Sequence, residues 1–319
     1  MQNLTDEELL ELRKYATRYC LLNYDYCYLS AMHHKNRTED VHTIIVGSSH
    51  AMNGIVEDEF VARPINFSVS SQDIFYCYEH IKKAVRESCG RIKNCIIDLG
   101  YYALYHDVSC SKKIGEALIP RVYAPLFGEL HHYEGGLDYD MLQMLSYDKS
   151  RYDEDLVRAV CDQWTQADMM NDPTYYGKRR SREMNSRCFL EGNVWNNISE
   201  EKRKQIAEGR AAEHNQLKKY ITTRLENIVI LNDIVQYLAK NNIRIICVVF
   251  PFTNYYNGFI DSEYKSELYD VLNKIEHSIE FLDMNELDWF DAEDFVDADH
   301  LNYKGAIKSS RILNHYLKI

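Results

Sequence analysis

"VHTIIVGSSHAMNGI", residues 41–55, decides how this chain is read. An apolar run ends at Gly47 and hands over to Ser48, Ser49 and His50. Such a run bounded by glycine predicts a buried strand that closes in a tight turn. Small hydroxyl residues at that turn can cap a helix, cradle a phosphate or serve as a nucleophile. The G-x-x-x-x-G-K-[ST] spacing of a phosphate loop is missing, which disfavours the cradle. Taken alone, Gly47-Ser48-Ser49 reads first as a plain strand-to-helix cap, and the rest of the chain has to decide.

Working outward, apolar runs and amphipathic segments alternate. Thr5-x-x-Glu8 forms a capping box ahead of a helix carrying Leu9, Leu12, Ala16 and Tyr19. After the strand 43–46 comes a second apolar run, 65–69, and then a helix with Ile74, Tyr78, Ile81 and Val85 on one face. Ser71 is its expected cap and Gly90 its stop. A third strand, 95–99, again ends at a glycine. Later, Leu225, Ile228, Val235 and Leu238 mark a helix, followed by the strand "IRIICVVF" at 243–250. A helix with Tyr264, Leu268, Val271 and Ile275, a strand at 279–282 and a terminal helix complete the pattern. Alternation of this kind predicts an α/β fold with an open five-stranded parallel sheet covered on both faces. Residues 100–220 break the rhythm: they are polar, tyrosine-rich and weakly helical near 137–147, 151–170 and 199–220. They read as a largely helical insertion or lid inside a single domain spanning 1–319.

Composition narrows the function. The 37 basic and 49 acidic residues leave a net charge of −12, so the basic excess of a nucleic-acid binder is missing. The short basic run 178–182 reads as a solvated face. No stretch reaches the roughly 18 apolar residues that span a bilayer. The acidic amphipathic N-terminus is unlike a signal peptide, which points to a cytoplasmic protein without a membrane span. Nine cysteines, odd in number and irregularly spaced, signal neither zinc nor a disulfide framework. His131-His132 lacks a partner at ligand spacing, so no metal or cofactor is expected.

In an open α/β sheet, ligands sit beyond the carboxyl ends of the strands. Gly47-Ser48-Ser49, Ser70-Ser71, Gly100-Tyr101-Tyr102, Pro251-Phe252-Thr253 and the segment after Asp283 all fall on that edge. Asp297-Ala298-Asp299-His300 is the second informative stretch. Asp297 can bond the imidazole Nδ1–H of His300, fixing the tautomer and supporting the imidazolium. Nε2 is then free to take a proton from a serine, which needs such a base to become a nucleophile. Ser49 and His300 on one edge form the candidate pair. His50 reads as a packing or supporting residue beside them.

Gly47-Ser48-Ser49 with Asp297-x-x-His300 resembles the SGNH (GDSL-type) hydrolase superfamily, over roughly residues 41–105 and 225–319. It looks closest to the divergent Gly-Ser-Ser branch related to the D-alanyl transfer protein of teichoic acid operons, whose C-terminal block "DADHLNYKGA" resembles. The resemblance implies a flavodoxin-like three-layer α/β/α fold with Ser49 as nucleophile, His300 as base and Asp297 as orienting acid. Such proteins usually add a glycine after the second strand and an asparagine after the third as oxyanion donors. Here Ser70 or Ser71 and Gly100-Tyr101-Tyr102 hold those places, so a Ser70 or Ser71 backbone N–H and a Tyr101 or Tyr102 hydroxyl are the expected substitutes. The implied activity is that of a serine esterase or O-acyltransferase acting on a small acyl ester. A carbohydrate-linked (acylated-sugar) ester is the expected substrate, because Tyr101, Tyr102, Tyr105, Trp164 and Trp195 offer flat faces for sugar rings. The alternatives are a catalytically weak or inactive SGNH-like protein that binds carbohydrate or a partner, and, further off, a nucleotide-binding flavodoxin-like module.

Overall fold

The computed structural model describes residues 5–12, 14, 24–128, 130–135 and 195–318. Its internal contacts divide the chain into two compact units, Met1–Lys35 with Val108–Arg180 and Asn36–Asp107 with Ser181–Ile319. In the first unit the Thr5–Glu8 capping box forms, with the Thr5 N–H donating to Glu8 at 2.9 Å and the Glu8 N–H returning to Thr5 at 3.3 Å. A helix Lys112–Leu118 runs through a π-helical turn, Ile119–Tyr123, into Ala124–Phe127. Gly128, at φ 76°, ends it in the left-handed conformation that glycine adopts without strain. The helices expected at 137–147 and 151–170 lie outside the described residues.

The second unit holds the sheet. Its strands are β1 (Thr43–Val46), β2 (Ile65–Asn66), β3 (Asn94–Asp98), β4 (Arg244–Val249) and β5 (Glu280–Asp283). All pair in parallel in the order β2-β1-β3-β4-β5, the flavodoxin-like arrangement. β1 is buried along its whole length, as are β3 and β4 beyond their first residues, which is why they read as continuous apolar runs. β2 is shorter than its apolar run because Asn66 Oδ1 accepts the Ser68 N–H at 3.0 Å and turns the chain away.

Around the sheet lie the helices α1 (Ser49–Gly54), α2 (Ile74–Glu87), α3 (Glu200–Asn215), α4 (Ile221–Lys240), α5 (Asn254–Phe259), α6 (Ser262–Lys274) and α7 (Tyr303–Tyr316), and a further helix, Tyr24–Thr38, precedes β1. Right-handed crossovers in this strand order place α2, α4 and α6 on one face and α1 on the other. The helix pairs follow suit: α2 packs on α4 and α1 on α7. The result is a three-layer α/β/α fold. The cap of α2 differs from expectation, because Asp73 rather than Ser71 accepts the Tyr76 N–H, at 3.0 Å. Residues 100–107 and 195–220, expected within the insertion, lie in the second unit, where α3 packs on α5. No helix among the described residues is long and apolar enough to cross a membrane.

Candidate active site

The strand order reverses between β1 and β3, and the site lies at this switch point. β1 delivers Gly47 and Ser48, and Ser48 caps α1. Asp98, at the end of β3, reaches under the turn. Its Oδ2 accepts the Ser48 N–H at 3.1 Å, the Ser48 hydroxyl at 3.0 Å and the Ala51 N–H at 3.3 Å. The turn is thus held by a carboxylate, and Ser49 becomes the first helical residue. Its own N–H has no partner among the described residues.

His300 arrives from the far end of the chain on a tight loop. Phe295 and Leu301 bridge its base, and the Val296 N–H donates to the His300 carbonyl at 3.0 Å. The Ala298 carbonyl accepts the Thr253 N–H at 3.1 Å and its hydroxyl at 2.7 Å, which pins the loop to the segment after β4. Asp297 folds back over the loop: its Oδ1 accepts the Asp299 N–H at 3.0 Å and the His300 N–H at 2.8 Å. The same carboxylate lies 3.0 and 3.1 Å from His300 Nδ1. On the opposite side of the ring, Nε2 lies 2.8 Å from Ser49 Oγ. The structure therefore brings Ser49, His300 and Asp297 into one hydrogen-bonded line. Burial alone would disfavour a charged His300, but the Asp297 and Asp299 carboxylates outweigh it and raise its pKa.

Arg210 and His214, unreadable from spacing, join Asp299 and the expected supporting residue His50 in the surroundings. Arg210, on α3, sets its Nε 3.2 and 3.1 Å from the two oxygens of buried Asp299. Desolvation would raise the Asp299 pKa, yet His300, His50 and Arg210 together hold it well below the usual carboxylate range. His50 stacks on His300 with ring centroids 4.9 Å apart, and its Nε2 lies 3.5 Å from Asp299. His214, also on α3, stacks on Tyr102 at 3.9 Å and takes a hydrogen bond from the Tyr256 hydroxyl at Nδ1. Burial first, then the nearby Arg210 guanidinium, push its pKa well down, so it stays neutral. Ligand-type atoms of His50, Asp299 and His300 lie within 4.8 Å of one another. A metal ion there would have to displace the Arg210 guanidinium and break the bond between His300 and Asp297.

The expected oxyanion donors separate. Tyr101 is buried and its hydroxyl donates to Asp283 Oδ2 at 2.7 Å, at the end of β5, so it is committed elsewhere. Ser70 is exposed and its hydroxyl faces Met52 Sδ at 3.9 Å. Ser71 has φ 60°, the left-handed region that glycine favours, in a turn closed by the Gln72 N–H on the Val69 carbonyl at 3.3 Å. His106 Nε2 lies 3.0 Å from the Ser71 carbonyl and anchors that turn. Tyr102 lines a small cleft together with Ser48, His50, Asp98, Gly100 and His106. The sugar-stacking expectation needs correction at Tyr101, Tyr105 and Trp195. Trp195 and Tyr105 are buried, the latter bonded to Glu267, and Trp164 lies outside the described residues. A ring enclosed by protein has no face left for a sugar.

No family model and no curated protein matches this chain. Among solved structures, the chain is similar to one from Streptococcus pneumonia described as "a putative platelet activating factor". That likeness has a TM-score of 0.40 at 10% identity and covers 96% of this chain and 94% of the other. A likeness at this level carries no argument about chemistry, so the reading rests on the site.

Proposed function

We propose that this chain is a serine esterase or O-acyltransferase of the SGNH type, working through an acyl-enzyme on Ser49. The observation that carries the reading is the line Ser49 Oγ, His300 Nε2 at 2.8 Å, His300 Nδ1, Asp297 at 3.0 Å. With Nδ1–H donating to Asp297, Nε2 carries the lone pair and accepts the Ser49 proton. Oγ then bonds the ester carbonyl carbon, and the carbonyl electron pair moves to oxygen. The oxyanion collapses, the C–O bond to the leaving alcohol breaks, and the alcohol takes the proton from His300 Nε2. Water or an acceptor hydroxyl repeats the sequence in reverse and frees Ser49. The partnerless Ser49 N–H supports the reading as an oxyanion donor.

One observation favours the alternative of a catalytically weak or inactive binding protein: the Tyr101 hydroxyl, one expected donor, is bonded to Asp283. Losing one oxyanion donor typically slows turnover ~100–1000-fold. Labelling with a fluorophosphonate separates the readings, because phosphonylation needs the activated serine. Wild type should label at Ser49, and Ser49→Ala and His300→Ala should not. An unlabelled wild type would support the binding protein.

A further inference from the structure

We propose that Asp299, held in place by Arg210, is a second positioning acid for His300 and shares with Asp297 the stabilisation of its imidazolium. The proposal deepens the reading of Ser49 and His300 as a reacting pair. It starts from where the carboxylate lies. Asp299 Oδ1 is 3.5 Å from Nδ1 of His300 and Oδ2 is 3.5 Å from Nε2 of His50. The two rings are stacked with only 24° between their planes, so the carboxylate sits at the edge of both.

Distance favours Asp297, which is nearer to Nδ1, at 3.0 Å. Environment favours Asp299. The Asp297 side chain is 43% exposed and that of Asp299 is 2% exposed. Water reaches the outer side of the Asp297 carboxylate, whereas Asp299 is enclosed by protein, where the effective dielectric is about 20 rather than about 80. Asp297 still contributes more to His300, through its direct hydrogen bond as well as its charge, and Asp299 comes second. Asp297 thus sets the ring's direction and is the larger support, and Asp299 adds a second, water-shielded one, part of which the Arg210 guanidinium offsets.

A carboxylate so deeply buried survives as an anion only with a cationic partner. Arg210 is that partner, with Nε within bonding distance of both oxygens and Nη1 braced by Glu213 at 3.0 Å. On the other side, His50 is held by the Ser48 hydroxyl, 3.3 Å from Nδ1, and Ser48 by Asp98 at 3.0 Å. Tyr102, Tyr256 and His214 are the other titratable groups facing Asp299, and all three are held neutral near pH 7. The arrangement explains why α3, far along the sequence, reaches the sheet edge: it delivers the counter-ion for the acid.

The test is the protonation midpoint of the His300 ring, read by NMR on the full chain with labelled histidine, beside the pH profile of ester hydrolysis. In Asp297→Asn, His300 should keep a midpoint above that of a free histidine, because Asp299 remains. That midpoint should not move between low and high salt, since the remaining acid is shielded from ions. Hydrolysis by this variant should fall far less than the ~10⁴-fold seen when a lone triad acid is removed. Asp299→Asn should lower the midpoint, and the double variant should lose activity to about that ~10⁴-fold level. A His300 midpoint in Asp297→Asn at or below that of free histidine would overturn the proposal, even if Asp299→Asn failed to fold. The NMR midpoint decides the matter whether or not Ser49 turns over an ester, so failure of the esterase reading stays distinct from failure of this one.

Discussion

A Cβ atom at Gly47 would lie 2.3 Å from the Cβ of Asp98 and 2.8 Å from its Oδ2. β1 and β3 approach so closely here because Asp98 must reach the Ser48 and Ala51 N–H groups beneath the turn. The obstacle is the root of a side chain fixed to a central strand, which cannot swing aside. Gly47→Ala should therefore destabilise the protein by about 1–3 kcal/mol through overpacking. Urea unfolding measures the loss, and fluorophosphonate labelling should fall further than stability alone accounts for.

The pH dependence of labelling follows from His300. Its pKa is raised, and only the neutral ring accepts the Ser49 proton. Reactivity should climb with pH through a midpoint above ~6.5, the ordinary histidine value. A limb centred below that value would contradict the electrostatics of the Asp297–Asp299 pair. For stability the sign is opposite: the favoured imidazolium contributes fully below ~6.5, and the contribution is lost as pH rises through the raised folded value.

His214 acts at the acid end. Its folded pKa is lowered, so the unfolded chain binds a proton near ~6.5 that the folded chain refuses. Stability should decline as pH falls from there toward the lowered folded value. His214→Gln should flatten that slope in urea midpoints recorded from pH 7 to pH 5, and an unchanged slope would argue against the neutral assignment.

Tyr101→Phe separates structure from chemistry. Its hydroxyl shares Asp283 with that of Tyr269, at 2.7 and 2.6 Å. Removing it should cost about 1–2 kcal/mol of stability and leave kcat for a small ester unchanged. A large drop in kcat with normal stability would return Tyr101 to the oxyanion hole.

Ser48→Ala tests which serine reacts. The hydroxyl caps α1 and bonds Asp98, so its loss should cost about 1 kcal/mol while labelling persists at Ser49. Loss of the label with Ser49 intact, in a folded variant, would point to Ser48 instead.

The local chemistry of the chain determined a good deal. β1, β3 and β4 were legible as apolar runs because strands buried on both faces need no polar alternation. The Asp297–His300 contact was legible because its i to i+3 spacing is local, and Ser49 as the partner because the alternating pattern sets both segments on one sheet edge. The cap of α2 was not decided locally: Ser71 and Asp73 both suit a cap, and the left-handed backbone at Ser71 left the task to Asp73. Tertiary structure alone settled the rest. Asp98 looked like one more residue of a strand end until β3 was paired with β1. Arg210 stands 89 residues from Asp299, and no periodicity links a guanidinium on one helix to a carboxylate in a distant loop. The fate of the aromatic residues was equally non-local, since Tyr101, Tyr105 and Trp195 could line a pocket or fill a core on composition alone. Packing buried all three, because a large ring covered by neighbouring elements removes more apolar surface from water than one left on a cleft wall.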